Sequence, residues 1–168
     1  NYNRVQELLS QSLSENPDII VLPETWNTGF YPSTDLINIA DANGDRTKAL
    51  LRAFSKEHNI NIVGGSVAVA KENLVFNTSY VYNRSGELVG EYSKMHGFSP
   101  AKEDKYFASG THTTHFELDG IPCSTVICYD IRFPELVRMA ALPGTELLFV
   151  PAQWPTMRLR TLGHSRGG

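Results

Sequence analysis

Between Ser124 and Glu135 the chain reads Ser-Thr-Val-Ile-Cys-Tyr-Asp-Ile-Arg-Phe-Pro-Glu, a short apolar run that stops at a thiol, after which a proline opens a helix. Few segments restrict a fold as much. A strand that turns at once into a helix belongs to a layered α/β arrangement, and the turn side chain, Cys128, is left standing above a sheet edge. Pro134 suits the first helical position, where its missing N–H costs nothing. Glu135 complements the positive end of the helix dipole, and that same N-terminus favours an anion nearby. The other reading of Cys128 is a small hydrophobe packed at a strand end.

The remainder of the sequence repeats the alternation. Val5, Leu8, Leu9 and Leu13 share one helical face, and Asn16-Pro17 ends that helix. Ile19 to Leu22 reads as a fully buried strand. Asp45 caps a helix running to about His58, with Ala49, Leu50, Ala53 and Phe54 inward. Ile60 to Val69 is the next strand, softened by Gly64-Gly65. Asn77–Tyr82 and Glu87–Tyr92 flank Asn83-Arg-Ser-Gly86, and Thr114–Leu118 and Ile121–Ile127 flank Asp119-Gly120; both patterns predict hairpins. Phe133 to Ala141 is a helix ended by Pro143-Gly144, and Leu147 to Val150 is another buried strand. Such an order predicts a mixed sheet with helices on one face, its hairpins packing on a second sheet, and no linker divides it.

Composition excludes several functions. A net charge of −3 over 168 residues argues against nucleic acid as a partner. No apolar run approaches the ~20 residues of a membrane helix, and Asn1 to Glu7 carry no signal-peptide pattern. Cys123 and Cys128 lie on or beside one strand and project to opposite faces, so they are expected to be reduced thiols of a cytoplasmic protein. From Met157 onward there are three arginines, Arg158, Arg160 and Arg166, and no acid, an atypical basic tail.

Two further strand ends carry reactive groups. Leu22-Pro-Glu24-Thr-Trp26 places a carboxylate beyond the first buried strand, in an apolar setting that favours the protonated form of such a group and suits it to proton transfer. Tyr92-Ser-Lys94-Met-His96 places a lysine at the end of another. Each alone is as readily a loop cap or a solvated surface lysine. Three in one sheet would converge on one edge, where open α/β sheets bind ligands.

In these segments the chain resembles the nitrilase, or carbon–nitrogen hydrolase, superfamily. Leu-Pro-Glu-Thr-Trp, Ser-Lys-Met-His and Ile-Cys-Tyr-Asp-Ile-Arg-Phe-Pro-Glu match its Glu-Lys-Cys triad in order and context, and Pro151-Ala-Gln-Trp154 is also similar. The resemblance implies Glu24 as base, Lys94 as oxyanion holder with the Tyr129 N–H, and Cys128 as nucleophile. It implies a second glutamate before a glycine, which points to Glu103 in Lys102-Glu103-Asp-Lys-Tyr-Phe-Ala-Ser-Gly110, with Asp104 as the other reading. Arg132 is a candidate for a substrate carboxylate, or for an ion pair with Asp130 or Glu135.

The resemblance implies an α/β fold, the α-β-β-α sandwich of the nitrilase type, incomplete at both ends. It implies a partial hydrolase domain at 1–155, the basic tail at 156–168, no cofactor or metal, and a homodimer in the full-length form. The expected activity is hydrolysis of a small linear amide resembling 2-oxoglutaramate, through a cysteine thioester. N-carbamoyl amine hydrolysis is the alternative chemistry, with a nitrile substrate behind it. A catalytically silent truncated or assembly subunit is the alternative of another class. A cysteine–histidine hydrolase using His96, His112 or His115 lacks a comparable motif, and His112-Thr-Thr-His115 reads as surface polar residues rather than a metal pair. Neither a glycine-rich phosphate loop nor a GxSxG elbow is present.

Overall fold

Helix α1, Tyr2–Ser12, turns Val5 and Leu9 inward and runs into a 3-10 turn, Leu13–Glu15, that ends at Asn16 in the left-handed region. Leu8, expected on the inner face, is exposed, because the buried stripe is one side chain wide here. The computed structural model describes residues 1–29, 32 and 34–154, so the basic tail lies outside the described residues. Strand β1, Ile19–Val21, follows, then the short helix α2, Leu36–Ile39, and the two-residue strand β2, Asp41–Ala42.

Helix α3, Asp45–His58, begins one residue after Gly44, and Asp45 does not cap it. The Asp41 carboxylate does that work from outside the helix, accepting the N–H groups of Arg46 and Thr47 at 3.2 and 2.8 Å. Its inner face is Thr47, Leu51, Phe54 and Ser55, spaced at i, i+4, i+7 and i+8. Ala49 and Ala53 are exposed. Phe54 is buried and Leu50 packs against the core as expected, and the difference lies in the alanines, which are too small to report which face is apolar.

The single strand expected over 60–69 is two, β3 (Asn61–Val63) and β4 (Val67–Lys71), separated by Gly64-Gly65-Ser66. Both pair antiparallel with the same long strand, β5 (Leu74–Tyr82), and β6 (Leu88–Ser93) pairs with β5 as the predicted hairpin. β1 and β2 add in parallel to β3 and β4, completing a six-stranded sheet. The interruption has a purpose. Gly65 has φ +63°, and a Cβ there would collide with the Pro23 carbonyl. The loop after β1 therefore lies directly against the break, tied by Leu22 N–H to Val63 O at 3.0 Å, Ser66 N–H to Pro23 O at 3.0 Å and Trp26 Nε1–H to Gly64 O at 2.9 Å.

After a 3-10 turn at Ser99–Ala101 and the short helix α4, Glu103–Tyr106, the second sheet forms from β7 (Thr114–Leu118), β8 (Ile121–Thr125) and β9 (Leu147–Phe149). Asp119 and Gly120, both at positive φ, make the predicted hairpin turn between β7 and β8. A third 3-10 segment, Cys128–Arg132, leads into helix α5, Pro134–Ala141, with Pro134 in its first turn.

Apolar contacts define the layers. Val5, Leu9, Leu51 and Phe54 of the helices pack with Ile20, Ile62, Val67 and Tyr80 on one side of the large sheet. Val63 and Val81 on its other side meet Phe116, Leu118 and Cys123 of the small sheet. Gly90 of β6 admits the Phe116 ring, which a Cβ would press at 2.8 Å. Helix α5 covers the outside of the small sheet through Leu136 and Ala140, and Ser124 Oγ and His115 Nε2 lie 3.2 and 3.1 Å from the Ala140 carbonyl. The architecture is α-β-β-α. Two strands expected to be fully buried are not: Val21 of β1 is 47% exposed and Leu147 of β9 38%. Among the described residues no helix is long and apolar enough to cross a membrane.

Candidate active site

Glu24 leaves the end of β1, Lys94 the end of β6 and Cys128 the end of β8. The first two belong to the large sheet and the third to the small one. Convergence therefore occurs where the two sheets share an end, and not along one edge of one sheet as the sequence suggested. β6 runs parallel to β1, both being aligned with β3 through β5, so their C-terminal ends project the same way.

Lys94 is the centre of the cluster. Its Nζ donates to Glu24 Oε1 at 2.7 Å and to Glu103 Oε2 at 2.8 Å, and all three side chains are under 5% exposed. Burial alone would lower the proton affinity of the ammonium, and the two carboxylates outweigh it, so Lys94 is held above its ordinary value. Glu103 opens α4 and also accepts the Phe98 N–H at 2.6 Å, whereas its neighbour Asp104 is exposed. The setting of Glu24 is ionic and hydrogen-bonded rather than apolar: besides Lys94 it accepts Asn77 Nδ2–H at 3.1 Å and the Gln153 N–H at 3.2 Å.

Cys128 has φ +46°, a left-handed conformation uncommon outside glycine that places the thiol at a sharp corner. Its N–H donates to Pro151 O at 2.9 Å, extending the pairing of β8 with β9 past the strand ends. Asp130 holds this corner from within. Fully buried, it accepts Tyr92 Oη–H at 2.7 Å, Ile127 N–H at 3.1 Å and His96 N–H at 2.9 Å, with His96 Nδ1 at 3.0 Å. A carboxylate only accepts, so Nδ1 carries the proton. The strand end bearing Lys94 and the turn bearing Cys128 are thereby fastened to one another. Phe98, Tyr129, Phe133 and His96 form an aromatic row alongside, with His96 stacked on Phe133 at 3.6 Å.

The pull of a nearby helix N-terminus toward an anion is outweighed at Cys128. Burial, and then the Glu24 carboxylate, push the Cys128 thiol up to about 12, against the pull of Lys94. The resting group is a thiol that needs a base. Iodoacetamide labelling of Cys128 should therefore accelerate about tenfold per pH unit from neutrality to about pH 10, following the thiolate fraction. A plateau near pH 8 in the labelling rate would contradict this.

Arg132 forms no ion pair among the described residues; it is exposed, with its guanidinium 5.8 Å from the centre of the Trp154 ring. Asp130, one of its expected partners, is committed to Tyr92 and His96. Cys123 and Cys128 are both free thiols. Asn77 and Asp130 escaped sequence reasoning as members of the site. Asn77 lies 53 residues from Glu24 in an ordinary strand, and no spacing betrays it. Asp130 stands inside the cysteine segment, where four donors for one acid was a clue only the fold supplies.

A two-sheet sandwich with outer helices, carrying a buried thiol beside a carboxylate–ammonium–carboxylate row, is the class to which this molecule answers. The chain matches the carbon-nitrogen hydrolase family over residues 1–165 and belongs to it. It is 41% identical over 153 residues to the 2-oxoglutaramate amidase of Bacillus subtilis (strain 168), covering 91% of this chain and 59% of that protein. It is 32% identical to the chloroplastic omega-amidase of Arabidopsis thaliana, covering 90% of this chain and 44% of that one. Among solved structures, a carbon–nitrogen hydrolase superfamily protein of Xanthomonas campestris, with an arsenic adduct in its active site, superposes with a TM-score of 0.79 at 29% identity, over 95% of this chain and 61% of that one. An amidase of Nesterenkonia shares the fold, with a TM-score of 0.79 at 24% identity, over 90% of this chain and 60% of that one. The chain thus spans about six-tenths of the Bacillus relative and less of the Arabidopsis one.

Proposed function

We propose that the protein hydrolyses a small linear ω-amide of the 2-oxoglutaramate type to a carboxylate and ammonia. The observation that carries this reading is the buried row Glu24–Lys94–Glu103 beside the Cys128 thiol. Glu24 takes the thiol proton as sulfur attacks the amide carbon, which avoids forming a free thiolate in a site that disfavours one. Lys94 and the Tyr129 N–H receive the oxyanion, and Glu103 keeps Lys94 in register. The C–N bond then breaks, Glu24 returns its proton to the departing nitrogen, and ammonia leaves a thioester on Cys128. Water attacks that thioester, Glu24 takes the water proton, and the acid is released as the thiol is restored. No cofactor is needed for these steps.

Arg132, exposed near the aromatic row, is assigned to the distal carboxylate of the substrate. The two free cysteines support a cytoplasmic setting. Exposed Ile131, Met139 and Leu142 on or beside α5 support a homodimer. Ammonia release from 2-oxoglutaramate, glutamine and N-carbamoylputrescine tests the proposal. The first should be preferred, and Arg132→Met should raise KM for it about tenfold or more while sparing kcat. Preference for the carbamoyl substrate would replace the reading with N-carbamoyl amine hydrolysis, and release from none would favour a silent subunit.

A further inference from the structure

Asn77 touches both partners of the central ion pair. Its Nδ2 donates to Glu24 Oε1, the oxygen that also accepts Lys94, while its own main-chain carbonyl accepts the Lys94 N–H at 2.8 Å. Only a donor suits the face turned to a carboxylate, which settles the orientation of the amide and leaves Oδ1 on the other side. Asn77 is 1% exposed, and no donor among the described residues reaches that oxygen. A buried amide oxygen without a partner is unfavourable.

Asn77 also lines a cavity of about 90 Å³, with Lys94, Glu103, Asp104, Phe107 and Ala108 among its other walls. Its walls are mixed, with Phe107 and Ala108 beside an ammonium and two carboxylates. Since a water takes up about 30 Å³, there is room for one to three, with the two to four polar partners that a held water requires.

We infer that this cavity is a structural water site and that Asn77 is a positioning residue for Glu24, holding the base through its amide while a bound water satisfies Oδ1 and ties it to the Lys94–Glu103 pair. The inference rests on the proposed amide hydrolysis for its kinetic consequence, and on the geometry alone for the water. The amide restrains Glu24 Oε1, so the carboxylate cannot rotate away from the thiol when Lys94 turns toward an oxyanion. The restraint matters most in the steps where Glu24 moves a proton, so it should appear in kcat more than in KM.

The test has two arms. A crystal structure of the protein at a resolution that orders waters should place at least one within about 3.2 Å of Asn77 Oδ1; a dry cavity overturns the water site. Asn77→Leu, similar in volume but without donor or acceptor, should lower kcat about ten- to hundredfold with KM changed less than about threefold. Asn77→Asp sets a second carboxylate against Glu24 and should move the acid limb of the kcat/KM profile upward by about one unit or more. The groups facing Glu24 there are Lys94, Cys128 and the new acid, with Glu103 behind Lys94. An unmoved acid limb, or equal losses in kcat and KM that follow stability, would leave Asn77 a packing residue and overturn the positioning role. If the unaltered protein releases ammonia from no amide, the proposed function fails, and the crystallographic arm still decides the water.

Discussion

Cys128→Ala is expected to lose at least ~10⁴-fold in the proposed amide hydrolysis while keeping its fold, because the proposed covalent route needs the sulfur. The side chain is small, and the corner that holds it is built by other groups: the Cys128 N–H on Pro151 O and the four contacts of Asp130. None of these uses sulfur. A thermal melt within a few degrees of the unaltered protein, together with loss of ammonia release, is the expected pair of results. Intact-mass analysis of the unaltered protein quenched during turnover should show an acyl adduct that the alanine variant lacks. Residual turnover within tenfold of the original would mean that Cys128 is not the attacking group.

Lys94→Met should be the most damaging change to stability in the site. It leaves Glu24 and Glu103 buried and facing each other without the cation that bridges them at 2.7 and 2.8 Å. Removing one partner of a buried ion pair costs about 3–5 kcal/mol. One of the two acids would then take up a proton. Glu24→Gln and Glu103→Gln added to Lys94→Met should recover part of that loss without recovering activity, since the neutral amides no longer repel. The pH dependence has a defined sign. Lys94 is held above its ordinary value of 10.5, so its stabilising contribution is whole below 10.5 and drains away as pH rises through the higher folded value. Urea melts of the unaltered protein and of Lys94→Met should therefore differ fully at pH 7 and converge only in strong alkali. Equal midpoints at pH 7 would show that the row contributes nothing to stability.

The aromatic row and the Asp130 contacts explain why these side chains sit at such close quarters. Asp130 joins the loop after β6 to the turn after β8, and burial together with its carboxylate keeps the Tyr92 phenol protonated and donating. Glu24 is set by a different device, the glycine break between β3 and β4, into which its loop bonds. Two independent fastenings thus bring three strand ends to one place.

Much of this was legible in the residues themselves. Cys128, Lys94 and Glu24 each stand at a strand end that the residues mark, and it took the family resemblance to single them out together and to point to Glu103. Both hairpins announced themselves through Asn83-Arg-Ser-Gly86 and Asp119-Gly120, because a tight turn with positive φ tolerates few residue types. What local pattern left undecided was which surfaces meet. The inner face of α3, the exposure of Val21 and Leu147, and the division of the three strand ends between two sheets depend on partners far away in sequence. So does the proton affinity of the thiol: the helix that follows it in sequence favours an anion, and its surroundings in space, burial and then Glu24, favour the neutral group. Short-range backbone sterics and side-chain periodicity act within a few residues, whereas burial and charge act through space. The sequence alone therefore determined the candidate groups and most of the elements that carry them, and the tertiary structure decided their pairing, their burial and the contacts of Asn77 and Asp130.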